Sequence, residues 1–264
     1  MLTPNRQSVN DRAITRKSDA QRQQGLDAVK NKRARPTTKA RIATLNVGTL
    51  TGKSREIAAM MTQRGIDILY AYRRQNGQEV KQEGKQETLA MGVSYTTQEG
   101  KNQKNGVAIC LSNKWLENYV VTVTRTSDRI VSLKLLTRGK TYNIFSVYPP
   151  QQGCESEEND VFWNQLEEVI EGIPSTEELI VAGDMNGHVG RERGVFERWH
   201  GGKTVGGRNE EGERILRMAQ TCDLALVNTF YTQTDQKLVT YKSGGNATVI
   251  DYITVRRTHL GWDV

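Results

Sequence analysis

Short runs of β-branched, aliphatic and aromatic residues recur along this chain between polar turns, and helical patterns are few, so the fold must be built on sheets. The runs occupy residues 42–47, 66–72, 106–111, 130–136, 142–148, 179–182, 224–228, 237–242 and 248–255. Three segments carry the helical period instead. One opens at Thr51-Gly-Lys-Ser, presents Ile57, Met60 and Met61 on one face and stops at Gly65. A second starts at Ser156 with Glu157, Glu158 and Asp160 in its first turn, where the helix dipole favours acids, and Pro174 lies beyond its end. Its expected buried positions are Val161, Phe162, Leu166, Val169 and Ile170. The third spans 209–222, with Ile215, Leu216, Ala219 and Cys222 on one side. The polar stretch 73–104 reads as a loop with short strands, and no internal repeat is visible. The pattern predicts an α/β domain.

Charge divides the chain unevenly. The formal net charge of the 264 residues is +7, but residues 1–41 alone hold 11 Lys/Arg against 3 Asp and contain no aromatic residue. The remainder carries about one net negative charge, so the basicity belongs to the N-terminal segment. That segment has too little apolar surface to offset the entropy of ordering, and residues 1–40 are expected to form a disordered tail. Its Lys30, Lys32, Arg33 and Arg35 read either as a solvated charge run or as a nucleic-acid or nuclear-localisation patch. A mean hydropathy of −0.63 without a long uncharged apolar run argues against a membrane span and a signal peptide, which predicts an intracellular chain, nuclear or cytoplasmic. Cys110, Cys154 and Cys222 form no CxxC pair and are expected to be reduced thiols rather than zinc ligands or staples.

Polar residues stand in or just beyond several of the apolar runs. Asp184 and Asn186 follow the most continuously apolar one. A carboxylate and an amide on one turn beyond a buried strand can hold a hard divalent cation or orient a water, although Gly-Asp-Met-Asn-Gly is equally an ordinary turn. Asp251 interrupts Val249-Ile-Asp-Tyr-Ile253, where a carboxylate is costly unless paired or metal-bound. It is a structural or a catalytic acid on this pattern. Asn46 in Thr-Leu-Asn-Val-Gly and Tyr148 before Pro149-Pro150 pose the same choice.

The order of these motifs is more specific than any one of them. Ala43-Thr-Leu-Asn46-Val, Ile66-Asp-Ile-Leu, Gly106-Val-Ala-Ile, Val147-Tyr148-Pro-Pro, Gly183-Asp184-Met-Asn186-Gly, Asn209-Glu-Glu-Gly, Leu238-Val-Thr-Tyr and Ile250-Asp251-Tyr-Ile together resemble the endonuclease/exonuclease/phosphatase superfamily over about residues 41–257. Phe162-Trp163 and the segment 226–231 look similar to craniofacial development proteins and to the endonuclease domains of non-LTR retrotransposons. The resemblance implies a two-sheet β-sandwich flanked by helices, with a Mg²⁺-dependent phosphodiesterase site at one rim and nucleic acid, DNA ahead of RNA, as partner. It also implies roles: Asn46, Asp184 and Asp251 around the metal, Asp184 on the attacking water, Asn186 and Tyr148 on the phosphate, and Asp251 in the acid–base network.

Two departures count against full activity. After the second strand the superfamily carries Gln-Glu, the Glu being a metal ligand, and this chain has Tyr72-Arg73. Each unit charge about 4 Å away at an effective dielectric near 20 is worth on the order of 4 kcal/mol, so exchanging an acid for a base beside a dication removes an attraction and adds a repulsion. Glu79 is the nearest acid downstream. The superfamily's closing Ser-Asp-His and its strand have no counterpart in residues 41–264, and neither His188, expected to be an exposed loop residue, nor His200 nor His259 takes that place. The readings left open are an impaired metal-dependent endonuclease, an inactive nucleic-acid-binding relic of the fold and a phosphatase-branch phosphoesterase.

Overall fold

The computed structural model describes residues 39–47, 53–73, 87–89, 92–96, 106–137, 139–151, 153–154, 156–243 and 245–259. The basic N-terminal segment through residue 38 and Glu79 lie outside the described residues, as does the side chain of Arg73.

Two sheets form the framework, and each is organised around a parallel β-α-β unit. In the first, β1 (Ile42–Asn46) runs parallel to β2 (Ile68–Arg73), joined by α1 (Ser54–Arg64), whose C-terminal end is capped by Gly65 as expected. Antiparallel to β2 lies β5 (Gly106–Ser112), followed outward by β4 (Gly92–Thr96) and β3 (Glu87–Leu89). The short α2 (Asn113–Tyr119) leads into β6 (Val120–Ser127), the edge of the second sheet. There β7 (Ile130–Thr137) and β8 (Lys140–Val147) follow as a meander, and α3 (Ser156–Glu171) returns the chain to β9 (Glu178–Asp184), parallel to β8. After α4 (Glu210–Thr221) come β10 (Leu224–Leu226), the four-residue α5 (Asp235–Leu238), a ribbon of β11 (Tyr241–Ser243) with β12 (Asn246–Thr248), and β13 (Asp251–Arg256). The six-stranded order is β10-β13-β9-β8-β7-β6.

Side-chain alternation along the strands sorts the core into layers. Ile68, Tyr70 and Tyr72 of β2 pack with Ile144, Tyr148, Ile180 and Ala182 from the second sheet, which makes them the inner layer of a sandwich. The intervening Leu69 and Ala71 turn outward to Ile57 and Met61 of α1. Leu179 and Val181 likewise turn outward, to Phe162, Leu166 and Ile170 of α3 and to Ile215 and Leu216 of α4. Because Ile180 and Ala182 face inward, the same parity places Asp184 on the inner layer at the end of β9.

Several expectations require correction. Residues 237–242 are not one strand, for α5 ends at Leu238 and β11 begins at Tyr241. Residues 248–255 are divided at Val249 and Ile250, because the amides of Ile250 and Asp251 both donate to Thr240 Oγ1 instead of joining a ladder. The run 224–228 stops at Leu226, beyond which Val227–Thr229 form a 3₁₀ turn. Val161 is exposed, since it lies about 100° around α3 from Phe162 on the side away from Trp163. Neither α2 nor β6 was legible as an element: α2 is held by two buried aromatics, Trp115 and Tyr119, and β6 is an edge strand rich in Thr.

Candidate functional site

Three strand ends meet at one rim of the sandwich. In the antiparallel pairing of β9 with β13, Asp184 stands opposite Asp251, and both are buried. From the other sheet, Tyr72 is likewise buried, and its hydroxyl donates to Asp251 Oδ1 at 2.5 Å. Asn46 pairs with Tyr72 across β1 and β2 and is exposed at the same end. Tyr148, just beyond β8, stacks on Tyr72 with ring centroids 5.8 Å apart and planes 14° from parallel. The five residues singled out from sequence, Asn46, Tyr148, Asp184, Asn186 and Asp251, are therefore brought to one end of the fold by strand register.

Local backbone requirements explain why the rim has this sequence. A Cβ on Gly183 would lie 2.0 Å from the Val147 carbonyl oxygen, so glycine is needed where β8 and β9 close together. Asn186 has φ 52, a conformation few residues other than glycine adopt, and two hydrogen bonds hold it there. Its amide donates to Asp184 Oδ1 at 2.9 Å, and its side-chain Nδ2 donates to the Pro149 carbonyl at 2.7 Å. Tyr148 is fixed in turn: its amide donates to the Arg129 carbonyl, Arg129 Nη1 donates back to the Tyr148 carbonyl at 3.2 Å, and Gln151 donates to the Tyr148 hydroxyl.

Burial governs the electrostatics of the site. It raises the Asp251 carboxyl above the usual carboxylate range, against the lowering effect of hydrogen bonds from Tyr72 and Thr240. The Tyr72 phenol is pushed well above its ordinary value by burial, reinforced by the charges of Asp251 and Asp184, so it is a neutral donor. Among the described residues, no three His, Cys, Asp or Glu side chains gather in an arrangement that could hold a metal ion.

Sequence reasoning missed the residues that hold these groups in place. Tyr72 could have been found from its parity with Ile68 and Tyr70, which turns it inward. Gln151, Arg129 and Thr240 gave no such signal. Tyr252 faces the opposite layer, where its hydroxyl donates to the Val249 carbonyl at 2.8 Å and accepts from the Val189 amide at 3.3 Å. It thereby anchors the segment that leaves Asn186. His188 is half-buried rather than exposed, and its amide donates to Asn209 Oδ1. His200 is fully buried, with Nε2 2.8 Å from the Gly190 carbonyl. His259 contacts Glu178 at 2.5 Å, at the end of β9 away from Asp184. All three cysteines are free, and burial pushes the Cys110 thiol up to about 12.

The segment 187–208 leaves the rim and returns to α4 as a tightly tied excursion. Val189 bridges Arg208, Arg191 Nε donates to the Thr204 carbonyl, and Lys203 and Gly201 donate their amides to Thr229. It carries five Lys/Arg against two Glu. Arg193 and Val195 are exposed at its outer turn, and neither Arg193 nor Lys203 forms an ion pair among the described residues.

No family model matches the chain. Craniofacial development protein 2 from Bos taurus is 30% identical over 161 residues, covering 59% of this chain and 26% of that protein, and the Tragulus javanicus protein matches at the same identity. The aligned part therefore spans about a quarter of the length of these curated relatives. Among solved structures, the endonuclease domain of TRAS1, a telomere-specific non-LTR retrotransposon, superimposes with a TM-score of 0.55 at 14% identity, covering 82% of this chain and 84% of that one. The AP endonuclease LMAP from Leishmania major gives 0.56 at 13%, covering 82% and 78%. No helix among the described residues is long and apolar enough to cross a membrane. This pair of sheets has the fold of these solved endonucleases and of an endonuclease/exonuclease/phosphatase family protein from Leptotrichia buccalis, and in sequence the chain is similar to part of craniofacial development protein 2.

Proposed function

We propose that this is a nuclease-fold domain that binds nucleic acid, DNA ahead of RNA, through the basic segment 187–208, with phosphodiester hydrolysis strongly reduced. The observation that carries the reading is the charge and rigidity of that segment beside an acidic rim. Two buried carboxylates repel a phosphodiester, so a polynucleotide lying across this end of the sandwich finds its counter-charges on Arg193, Lys203 and their neighbours. Val195, 76% exposed, supplies an apolar contact for a sugar or base edge. The structural neighbours from TRAS1 and Leishmania major are endonucleases, in keeping with a phosphodiester ligand.

A Mg²⁺ centre of the kind the resemblance implies does not suit the residues present. Mg²⁺ demands near-ideal octahedral oxygen ligands and is usually held by one or two carboxylates with waters and substrate phosphates. Here one oxygen of each carboxylate already accepts a hydrogen bond, from Tyr72 and from the Asn186 amide, and Arg73 ends β2 where a third acid is expected. One observation favours a second reading, a residual metal-dependent endonuclease: the register pairing of Asp184 with Asp251 beside Asn186 and Tyr148.

The test is binding of a fluorescent duplex to the full chain across a salt series. Each phosphate contact contributes about 0.9 to the slope of log affinity against log salt, so Arg193→Glu with Lys203→Glu should flatten it by roughly 2. An unchanged slope and affinity would remove the segment from the interface. A matching single-stranded RNA probe decides whether DNA is preferred.

A further inference from the structure

We propose that the Tyr72 phenol takes the structural place of a divalent cation, joining the two sheets at the rim so that this domain assembles without metal. The link stands on geometry. Tyr72 belongs to the five-stranded sheet and Asp251 to the six-stranded one, 179 positions apart, and the hydroxyl of one reaches the carboxylate of the other at 2.5 Å. Asp251 faces Asp184 in register, so the phenol proton enters the acidic pair from the opposite sheet. Two carboxylates buried this close to each other require a compensating group, and a cation or a fixed donor can supply it.

The ring cannot readily withdraw to admit an ion. It is 1% exposed and stacked on Tyr148. Tyr148 is itself fully buried, tied through main-chain bonds to Arg129, whose guanidinium lies 5.9 Å from its ring centre and reaches Glu158 at 2.6 Å. The acceptor is fixed as well, because the Asp251 amide donates to Thr240 Oγ1 and its carbonyl accepts from Asn228 Nδ2 at 3.0 Å. Placing an ion against Asp251 Oδ1 would break a buried hydrogen bond and displace a stacked pair. The five-stranded sheet thus contributes a neutral donor to the rim where a metal centre would need an acid.

Thermal unfolding of the full chain in EDTA and in millimolar Mg²⁺, for the wild type and Tyr72→Phe, tests this without nucleic acid and so apart from the binding reading. The wild type should melt at the same temperature in both buffers, because a ligand raises the midpoint only if it binds the native state. Tyr72→Phe keeps the stacked ring and loses the cross-sheet bond. It should melt lower by on the order of 5 °C, equally in both buffers. A wild-type midpoint that rises with Mg²⁺ and loses the rise in Asp184→Asn overturns the proposal. So does a Tyr72→Phe variant that melts with the wild type. The wild-type comparison between buffers holds even if the variant fails to fold.

Discussion

Asn209 joins the rim to the basic segment, and replacing it with Ala has a magnitude that follows from two distances. Its Oδ1 accepts from the Gly212 amide at 2.9 Å, capping the first turn of α4, and from the His188 amide at 2.8 Å, tying the loop beyond Asp184 to the same helix end. Loss of an N-cap of this type costs about 1 kcal/mol. Loss of the second bond adds about 1 kcal/mol more, because the His188 amide is left without its acceptor. The loop cannot settle closer to compensate: a Cβ on Gly212 would already stand 1.9 Å from the His188 carbonyl oxygen. Asn209→Ala should therefore destabilise the domain by about 2 kcal/mol, a fall in melting temperature of roughly 4–8 °C for a domain this size. Asn209→Asp retains the acceptor and should stay within about 0.5 kcal/mol of the wild type. Urea unfolding followed by tryptophan fluorescence measures both. An Ala variant within about 0.5 kcal/mol of the wild type, or an Asp variant as damaged as Ala, would refute the double-acceptor role.

Two further outcomes follow from single residues. At Asn186, φ 52 penalises any Cβ, so Asn186→Ala should be about 1 kcal/mol less stable than Asn186→Gly although both lose the bond to Pro149; equal stabilities in urea unfolding would show that the turn relaxes. His200 has its pKa lowered by burial, partly offset by the Gly190 carbonyl. The unfolded chain therefore takes up that proton first as pH falls. Stability should be flat at neutral pH, decline as pH drops through the ordinary histidine range and level off below the folded value. His200→Gln should flatten that decline, and an unaltered pH profile would assign it to other groups.

Much of the framework could be read from the chain because each half-buried strand carries its own evidence. The runs at β1, β2, β5, β7, β8, β9, β10 and β13 were visible as β-branched segments, and α1, α3 and α4 as apolar faces with recognisable ends. Polar residues at those strand ends marked Asn46, Tyr148, Asp184, Asn186 and Asp251 before any pairing was known. Periodicity is a local signal, however, and does not say which strand ends meet. Tyr72 looked like one more apolar strand residue, and its bond to Asp251 exists only because two sheets close on each other. The break between β12 and β13 was hidden for a similar reason: Val249 and Ile250 are strand formers, but Thr240 captures the amides of Ile250 and Asp251. In α2, seven residues are too few for a periodic signal, and Trp115 and Tyr119 hold the helix through tertiary packing.

A single experiment addresses binding and cleavage together: the full chain incubated with supercoiled plasmid in millimolar Mg²⁺, followed by gel retardation and by conversion to nicked circles. The proposed function predicts retarded plasmid that is nicked no faster than with Asp184→Ala. Nicking by the wild type that Asp184→Ala abolishes, or no retardation at all, would contradict it.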